Sequence, residues 1–468
     1  MILFSIPVIV AVAAVSYLVW RQSVPGPRAA LTPLPKFLGV KTPLAVDVKA
    51  ARGGIASLEV RVVQGASSAV VAQQAFPAPP AEQRVEFAIA GRDLGLKEGA
   101  ATIEVRARDN FWRPMRPGDQ PIASAPVTIK FTPPTLEVLG ATHYLHQGGG
   151  GLAVLRARGA SKAGIKVGAD FFPAYPVGEG DSAPSVALFA LPWNMPDATP
   201  IAAWAEDEAG NSVSRPVPSE LKPRRFPSGT VDITDKLLAA KLPELLPEKN
   251  PVPPDQQVPA FLIVNRDKRK AAEDAKRQIA ARTKPRPLWE GAFIQPRNTK
   301  VFSNFAESRS YRYGGKEIDT QVHLGFDLAS LKNSPVPAAN AGVVAFAGPL
   351  TIYGNAVIVD HGLGLMTLYG HLSAIEVKEG DQVKQGQELG RTGTTGLAVG
   401  DHLHYEVLIQ GISVTPVEWW DGKWIRDHVG RPLMEANVPL LQSEYPADKA
   451  PASGDERPAS PRKRRATR

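Results

Sequence analysis

The chain has no cysteine among its 468 residues. That excludes disulfides, thiolate nucleophiles and every zinc site built on sulfur. Any metal must be held by histidine and carboxylate. Histidine is itself scarce, at eight residues, and aromatics make up only 7% of the chain. Ile2–Trp20, at the start, is uncharged and mostly apolar, and nothing basic precedes it. What is plentiful is proline (44) and glycine (41), the punctuation of short strands and turns rather than of long helices. At this length the chain exceeds the ~250–300 residues at which a single core stops growing, so several domains are expected. The formal charge of +8 suits anionic surroundings such as a cell wall or lipid headgroups. Half of the excess sits in a basic, Pro/Ala-rich tail over 446–468, which has almost nothing apolar to bury and is expected to be disordered. No nucleic-acid partner is expected.

Ile2–Trp20 is close to the ~20 apolar residues that cross a bilayer, and is longer than the apolar core of a cleavable signal. It is read as an uncleaved transmembrane anchor, residues 2–20. Arg21, Arg28 and Lys36 follow it, a charge pattern that by itself points inward.

Downstream the pattern turns to period two. Leu58, Val60 and Val62 alternate with Glu59 and Arg61, and Ile103, Val105 and Ala107 with Glu104, Arg106 and Arg108. This predicts half-buried antiparallel strands and a β-sandwich over 42–132. A second β module is read over 135–222. Both carry turns of the type Ala205-Glu-Asp-Glu-Ala-Gly-Asn211 and resemble bacterial immunoglobulin-like modules. His143 and His146 read as surface residues. Residues 228–285 read as a helical connector, with one short helix from Asp235 and another over Arg266–Lys284 that shows Ala271, Ala275 and Ile279 on one face. From Trp289 the chain is again β, and residues 289–425 are expected to form an antiparallel sheet or partly open barrel, with Trp419, Trp420 and Trp424 capping one end.

Five of the eight histidines, His323, His361, His371, His402 and His404, fall in this last domain. In a strand, His402 and His404 project on one face, with Glu406 beside them. His323 and Asp327 would lie roughly 13 Å apart in a straight strand, too far to share an ion. Gly325 between them permits the bend that would bring them together. A catalytic zinc takes about three such ligands plus water.

Taken together, His323-x3-Asp327, Tyr369-Gly-His371-Leu-Ser and Gly400-Asp-His402-Leu-His404-Tyr-Glu resemble the LytM/lysostaphin-type zinc metallopeptidases, the M23 peptidase family. Asp360-His-Gly-Leu-Gly and the run Val377–Gly390 fit in order and spacing. The likeness covers roughly Trp289–Trp420. It implies Zn2+ held by His323, Asp327 and His404, and it implies catalytic roles for His371 and His402 beside the bound water. His361 belongs to a family turn and is read as structural. The role of an assisting tyrosine is not assigned to Tyr311 or Tyr313, and Asn304 and Arg309 stand equally for cleft or structural use. The implied activity is a membrane-anchored zinc metalloendopeptidase cutting cross-links or stem peptides of peptidoglycan. It would be held at the inner membrane by its N-terminal helix, with its domains on the periplasmic side. The alternative is a non-enzymatic activator of other wall hydrolases, a role of relatives that have lost ligands. A biotinyl-type carrier, suggested by Val377–Gly390 alone, gives no reason for the histidines. The connector, preceding the cleft, is also placed to cover it.

Overall fold

The computed structural model describes residues 5–115 and 120–439; the tail expected to be disordered lies outside them. By their contacts the residues form two compact units. One runs to Val138 and takes in Leu155–Ala187 and Ala198–Val217. The other holds Leu139–Val154, Leu188–Asp197 and the chain from Pro218 on. The region read as a second module, 135–222, is therefore shared between them.

In the first unit, the helix Ser5–Ser23 leaves its apolar side chains exposed from Val8 to Trp20. Arg21 lies in its last turn, so its uncharged part runs only from Ser5 to Trp20, short of the ~20 residues a span requires. Among the described residues no helix is long and apolar enough to cross a membrane; Ile2–Phe4 fall outside them. The alternating strands follow as expected. A three-stranded sheet, Arg28–Thr32, Thr42–Lys49 and Glu82–Ile89, shares one core with a five-stranded sheet in the order Phe37–Leu38, Ala123–Ile129, Gly99–Asp109, Ile55–Gln64, Ser67–Ala75. Val46, Leu58, Val60, Val62, Ile103, Val105 and Val127 fill it. These are the inward positions of the period-two pattern.

In the second unit, an eight-stranded antiparallel sheet carries the histidines. Its order is Lys300–Ser303, Phe326–Ala329, Leu403–Ile409, Leu365–Gly370, Asn355–Gly362, Gly342–Pro349 and Gln382–Val383, with Ile412–Val414 also pairing to Leu403–Ile409. The strand order does not close on itself, so of the two forms expected, sheet or partly open barrel, the described residues show the open antiparallel sheet. Trp289, Phe293 and Trp419 cluster at ring separations of 5.7–5.8 Å, and Trp420 stacks on Tyr405, which is the cap expected from the tryptophans.

The connector departs most from expectation. Ser228–Ile233 is a strand, paired in parallel with Glu307–Tyr313, which in turn pairs with Lys316–His323. The helix Asp235–Leu245 follows, capped by Thr234, and the chain is then helical again from Gln257 to Ala280. Leu238, Leu242, Leu246, Phe261, Val264, Ala272 and Ile279 pack on Ile358, Met366, Leu368 and Leu408 of the large sheet. One sheet face is apolar and has to be covered, and the connector covers it. It is a layer on the large sheet rather than a separate segment before it. For the same reason Leu403–Ile409 and Leu365–Gly370 are buried at every position, with no alternation.

Candidate metal centre

The strand Lys316–His323 belongs to the smaller sheet and Phe326–Ala329 to the larger one. The chain changes sheets at Leu324-Gly325, and this change, rather than a bulge within one strand, brings His323 to Asp327. Gly325 has to lack a side chain. A Cβ there would stand 2.6 Å from the Tyr405 carbonyl oxygen and 2.7 Å from His404 Nε2. In the large sheet Phe326, Asp327 and Leu328 lie opposite Tyr405, His404 and Leu403.

Three donor atoms converge as a result. His323 Nε2 lies 2.9 Å from Asp327 Oδ1 and 3.0 Å from His404 Nδ1, and His404 Nδ1 is 3.0 Å from the same carboxylate oxygen. Ligands at ~2.0–2.1 Å in a tetrahedron define edges of about 3.3 Å, so a small inward ion needs only slight expansion of this triangle. All three residues are buried. Each histidine is also held from behind. His323 Nδ1 meets the Asn304 carbonyl at 2.9 Å, and His404 Nε2 meets Glu406 Oε1 at 2.9 Å. Such outer partners fix which ring nitrogen is left for a metal. A set of two imidazoles and one carboxylate, oriented this way and lacking sulfur, fits zinc.

Two more histidines flank the triangle. His371 Nδ1 meets the Thr395 carbonyl at 2.8 Å, and His402 Nδ1 meets the Gly400 carbonyl at 2.7 Å. Donation from Nδ1–H leaves each Nε2 as a proton acceptor. The two rings are 4.8 Å apart, and His402 Nε2 is 3.4 Å from Asp327 Oδ1. His371 sits at φ 63°, a left-handed conformation uncommon for a residue with a side chain, and its N–H is tied to the Tyr353 carbonyl at 2.7 Å. The surroundings hold this geometry, as they do at many functional positions.

Electrostatics divides these groups. Burial pushes His371 well below the ordinary histidine range, with His402 and His404 adding to it, so it is neutral at physiological pH. Burial would raise Asp327, but His323 and its other histidine partners outweigh that and hold it well below the usual carboxylate range. Burial lowers His323. It works against His404 too, but hydrogen bonds to Asp327 and Glu406 turn that ring's net shift upward. His361 is wholly buried, joined to Ala341 O and Thr367 Oγ1, and pushed down to about 4 by burial. It is not among the three converging donors.

A cavity of about 450 Å³ opens on the triangle. Phe302, Tyr353 and the loop Leu397–Asp401 line it, and so do Thr230, Val231, Ile233 and Leu237 of the connector. Arg309, left undecided by the sequence, donates to Asp327 Oδ2 at 2.9 Å. Asn304 contributes its backbone carbonyl. Tyr311 lines the cavity, whereas Tyr313 turns to Asp235. Sequence reasoning missed Tyr353, whose hydroxyl is 2.5 Å from Glu406 Oε1, and Lys276, which bonds Glu406 Oε2 at 2.8 Å. Neither stands in a pattern that marks it.

Residues 321–416 match the model of peptidase family M23. Over 117 residues the chain is 45% identical to the DD-carboxypeptidase/endopeptidase Mpg of Neisseria meningitidis serogroup B, an overlap of 25% of this chain and 27% of that protein. It is 41% identical over 96 residues to the peptidoglycan DD-endopeptidase ShyA of Vibrio cholerae, covering 20% of this chain and 22% of ShyA. It is 33% identical over 130 residues to a lipoprotein NlpD/LppB homolog of Pseudomonas aeruginosa, covering 28% of this chain and 40% of the homolog. The chain thus spans about a quarter of the length of the first of these relatives.

Proposed function

We propose that this chain, which carries a peptidase family M23 domain over residues 321–416, is a zinc metalloendopeptidase that cuts peptide cross-links or stem peptides of peptidoglycan. The observation that carries the reading is the buried triangle of His323, Asp327 and His404, whose donor atoms lie within 4.8 Å of one another, with two further histidines beside it. When bound there, zinc lowers the pKa of its water toward ~7 and polarises the scissile carbonyl. His323, Asp327 and His404 hold it. Neutral His371, with Nδ1 committed to Thr395 and Nε2 free, accepts a proton and returns it to the leaving amine. His402, 4.8 Å from His371 ring to ring, shares the proton transfer and, once its Nε2 has taken up a proton, donates to the carbonyl oxygen as charge builds on it. Arg309 keeps Asp327 oriented by bonding the oxygen that does not face the histidines.

The rest of the chain is consistent with delivery to a wall. The apolar helix Ser5–Ser23, preceded by Ile2–Phe4, holds the protein at the inner membrane, with the folded units on the periplasmic side. The upstream β modules act as immunoglobulin-like spacers, a reading supported by the packing of a three-stranded on a five-stranded sheet in the first of them. The activator alternative has loss of ligands as its signature, and all five motif residues are present.

The test is paired. Purified chain is assayed for bound metal, and is incubated with peptidoglycan sacculi while released fragments are mapped by mass spectrometry. About one zinc per chain, and new peptide termini that vanish in His404→Ala, are expected. Zinc without any cleavage would overturn the substrate assignment, and absence of zinc would overturn the metallopeptidase.

A further inference from the structure

Behind His404, on the side away from the metal position, lies a closed polar cluster inside the core. Glu406 is wholly buried. Its Oε1 accepts from His404 Nε2 at 2.9 Å and from the Tyr353 hydroxyl. Its Oε2 accepts from Ser413 Oγ at 2.7 Å and from Lys276 Nζ at 2.8 Å. Lys276 is also fully buried, and its ammonium further meets Glu273 Oε1 at 2.8 Å, Ser413 Oγ at 3.1 Å and Tyr353 OH at 3.2 Å. Removing a lysine from water is expensive unless it is paired and fully hydrogen-bonded, and this one is both. The pair that Lys276 makes with Glu406 is wholly buried on both sides.

Lys276 does not come from the residues that match the family model. It belongs to the connector helix Arg269–Ala280. That helix is seated backbone to backbone on the hairpin turn after His404's strand. A Cβ at Gly411 would stand 2.6 Å from Arg277 Cα and 2.8 Å from the Lys276 carbonyl carbon. The ammonium is therefore delivered to one place, at the far oxygen of the carboxylate that holds His404.

We propose that Lys276 is a positioning residue of the metal centre. It anchors Glu406 as a fixed carboxylate, and Glu406 in turn fixes the His404 ring with Nε2 protonated and Nδ1 aimed at the metal. The inference rests on the zinc reading of the site and extends that site to the connector, which supplies the second half of a lysine–carboxylate–histidine relay. A lysine that served only to cement the core would affect stability and leave the metal affinity of the folded protein untouched.

The experiment measures zinc affinity of the full chain by competition with a chromophoric chelator, for wild type, Lys276→Met and the double variant Lys276→Met/Glu406→Gln. Circular dichroism confirms the fold of each metal-free protein. Weakening of zinc binding by about tenfold to a hundredfold is expected in each folded variant, the usual consequence of losing an outer partner of a metal-bound histidine. The double variant removes both charges of the wholly buried pair, leaving only the part-exposed Glu273 carboxylate without its lysine, and decides the matter if Lys276→Met fails to fold. A folded variant that binds zinc as tightly as wild type overturns the proposal. A third readout needs no variant. In zinc-loaded wild type, the His404 Nε2 proton should resist solvent exchange in NMR spectra, and rapid exchange would equally overturn it. Wild type that binds no zinc at all would instead refute the metallopeptidase reading itself.

Discussion

Glu418 offers a quantitative test of the packing around the large sheet. It lies in the short helix Pro416–Trp420, buried against Gly149 and Gly150, and its bond to the backbone is from Gly150 N at 2.9 Å. Burial pushes its carboxyl up to about 8, against the pull of that N–H and of Arg224. The folded chain then keeps a proton that the unfolded chain releases at pH ~4.3. Below that value both states are protonated and the group's full contribution to stability is present. As pH rises through the window the unfolded state is increasingly favoured, at about 1.4 kcal/mol per pH unit, until the folded carboxyl also ionises near 8. Between pH 5 and pH 8 this one group should remove roughly 3–4 kcal/mol of stability. Glu418→Gln keeps the shape and an acceptor for Gly150 but does not titrate. Urea unfolding of both proteins at pH 5, 6, 7 and 8 can be followed by tryptophan fluorescence, with Trp419 and Trp420 adjacent as reporters. The wild type should lose stability across the range relative to the variant, and the other titrating groups cancel in the comparison. Parallel profiles would show that Glu418 is ionised throughout, and would refute the argument from burial.

Four other substitutions probe the candidate metal centre and its support. Gly325→Ala drives a methyl into the Tyr405 carbonyl and the His404 ring; a loss of about 1–3 kcal/mol in urea unfolding and at least about tenfold weaker zinc binding are expected. Unchanged zinc affinity would mean that the sheet change at this residue has slack. His404→Ala should abolish zinc binding, whereas His371→Ala should keep it and lose at least about a hundredfold in turnover; loss of zinc from the His371 variant would contradict its assignment to proton transfer. Gly411→Ala, at φ 77° and against the connector-helix backbone, should cost about 2 kcal/mol or more, read by the same unfolding assay. A neutral result would mean that the connector is loosely seated.

The candidate site was more legible in the sequence than the layer that supports it. Histidine and aspartate at metal-bearing spacings carry their chemistry in their residue types. The place of Gly325 between two ligands already announced a bend, although not that the chain changes sheets there. The strand Ser228–Ile233 went unseen because its partner, Glu307–Tyr313, lies about eighty residues on, beyond any local window. Lys276 was hidden by its own character. Counted as a polar residue, it displaced the inferred apolar face of its helix to Ala271, Ala275 and Ile279, whereas the buried positions are Ala272, Lys276, Ile279 and Ala280. The continuous burial of Leu403–Ile409 follows from the connector packing on the face that carries Leu408.

Asp327 stands directly across the ladder from His404. A ligand set drawn from facing positions on two strands exists in one register only. A slip of a single residue would turn one of the two side chains to the opposite face of the sheet and open the triangle. Under the proposed zinc reading, metal occupancy would act as a proofreading signal: a chain whose central strands had paired wrongly would lack the triangle of donors, so retained metal would certify a correctly assembled sheet before any substrate is met. A population of purified chains can be sorted on that criterion alone.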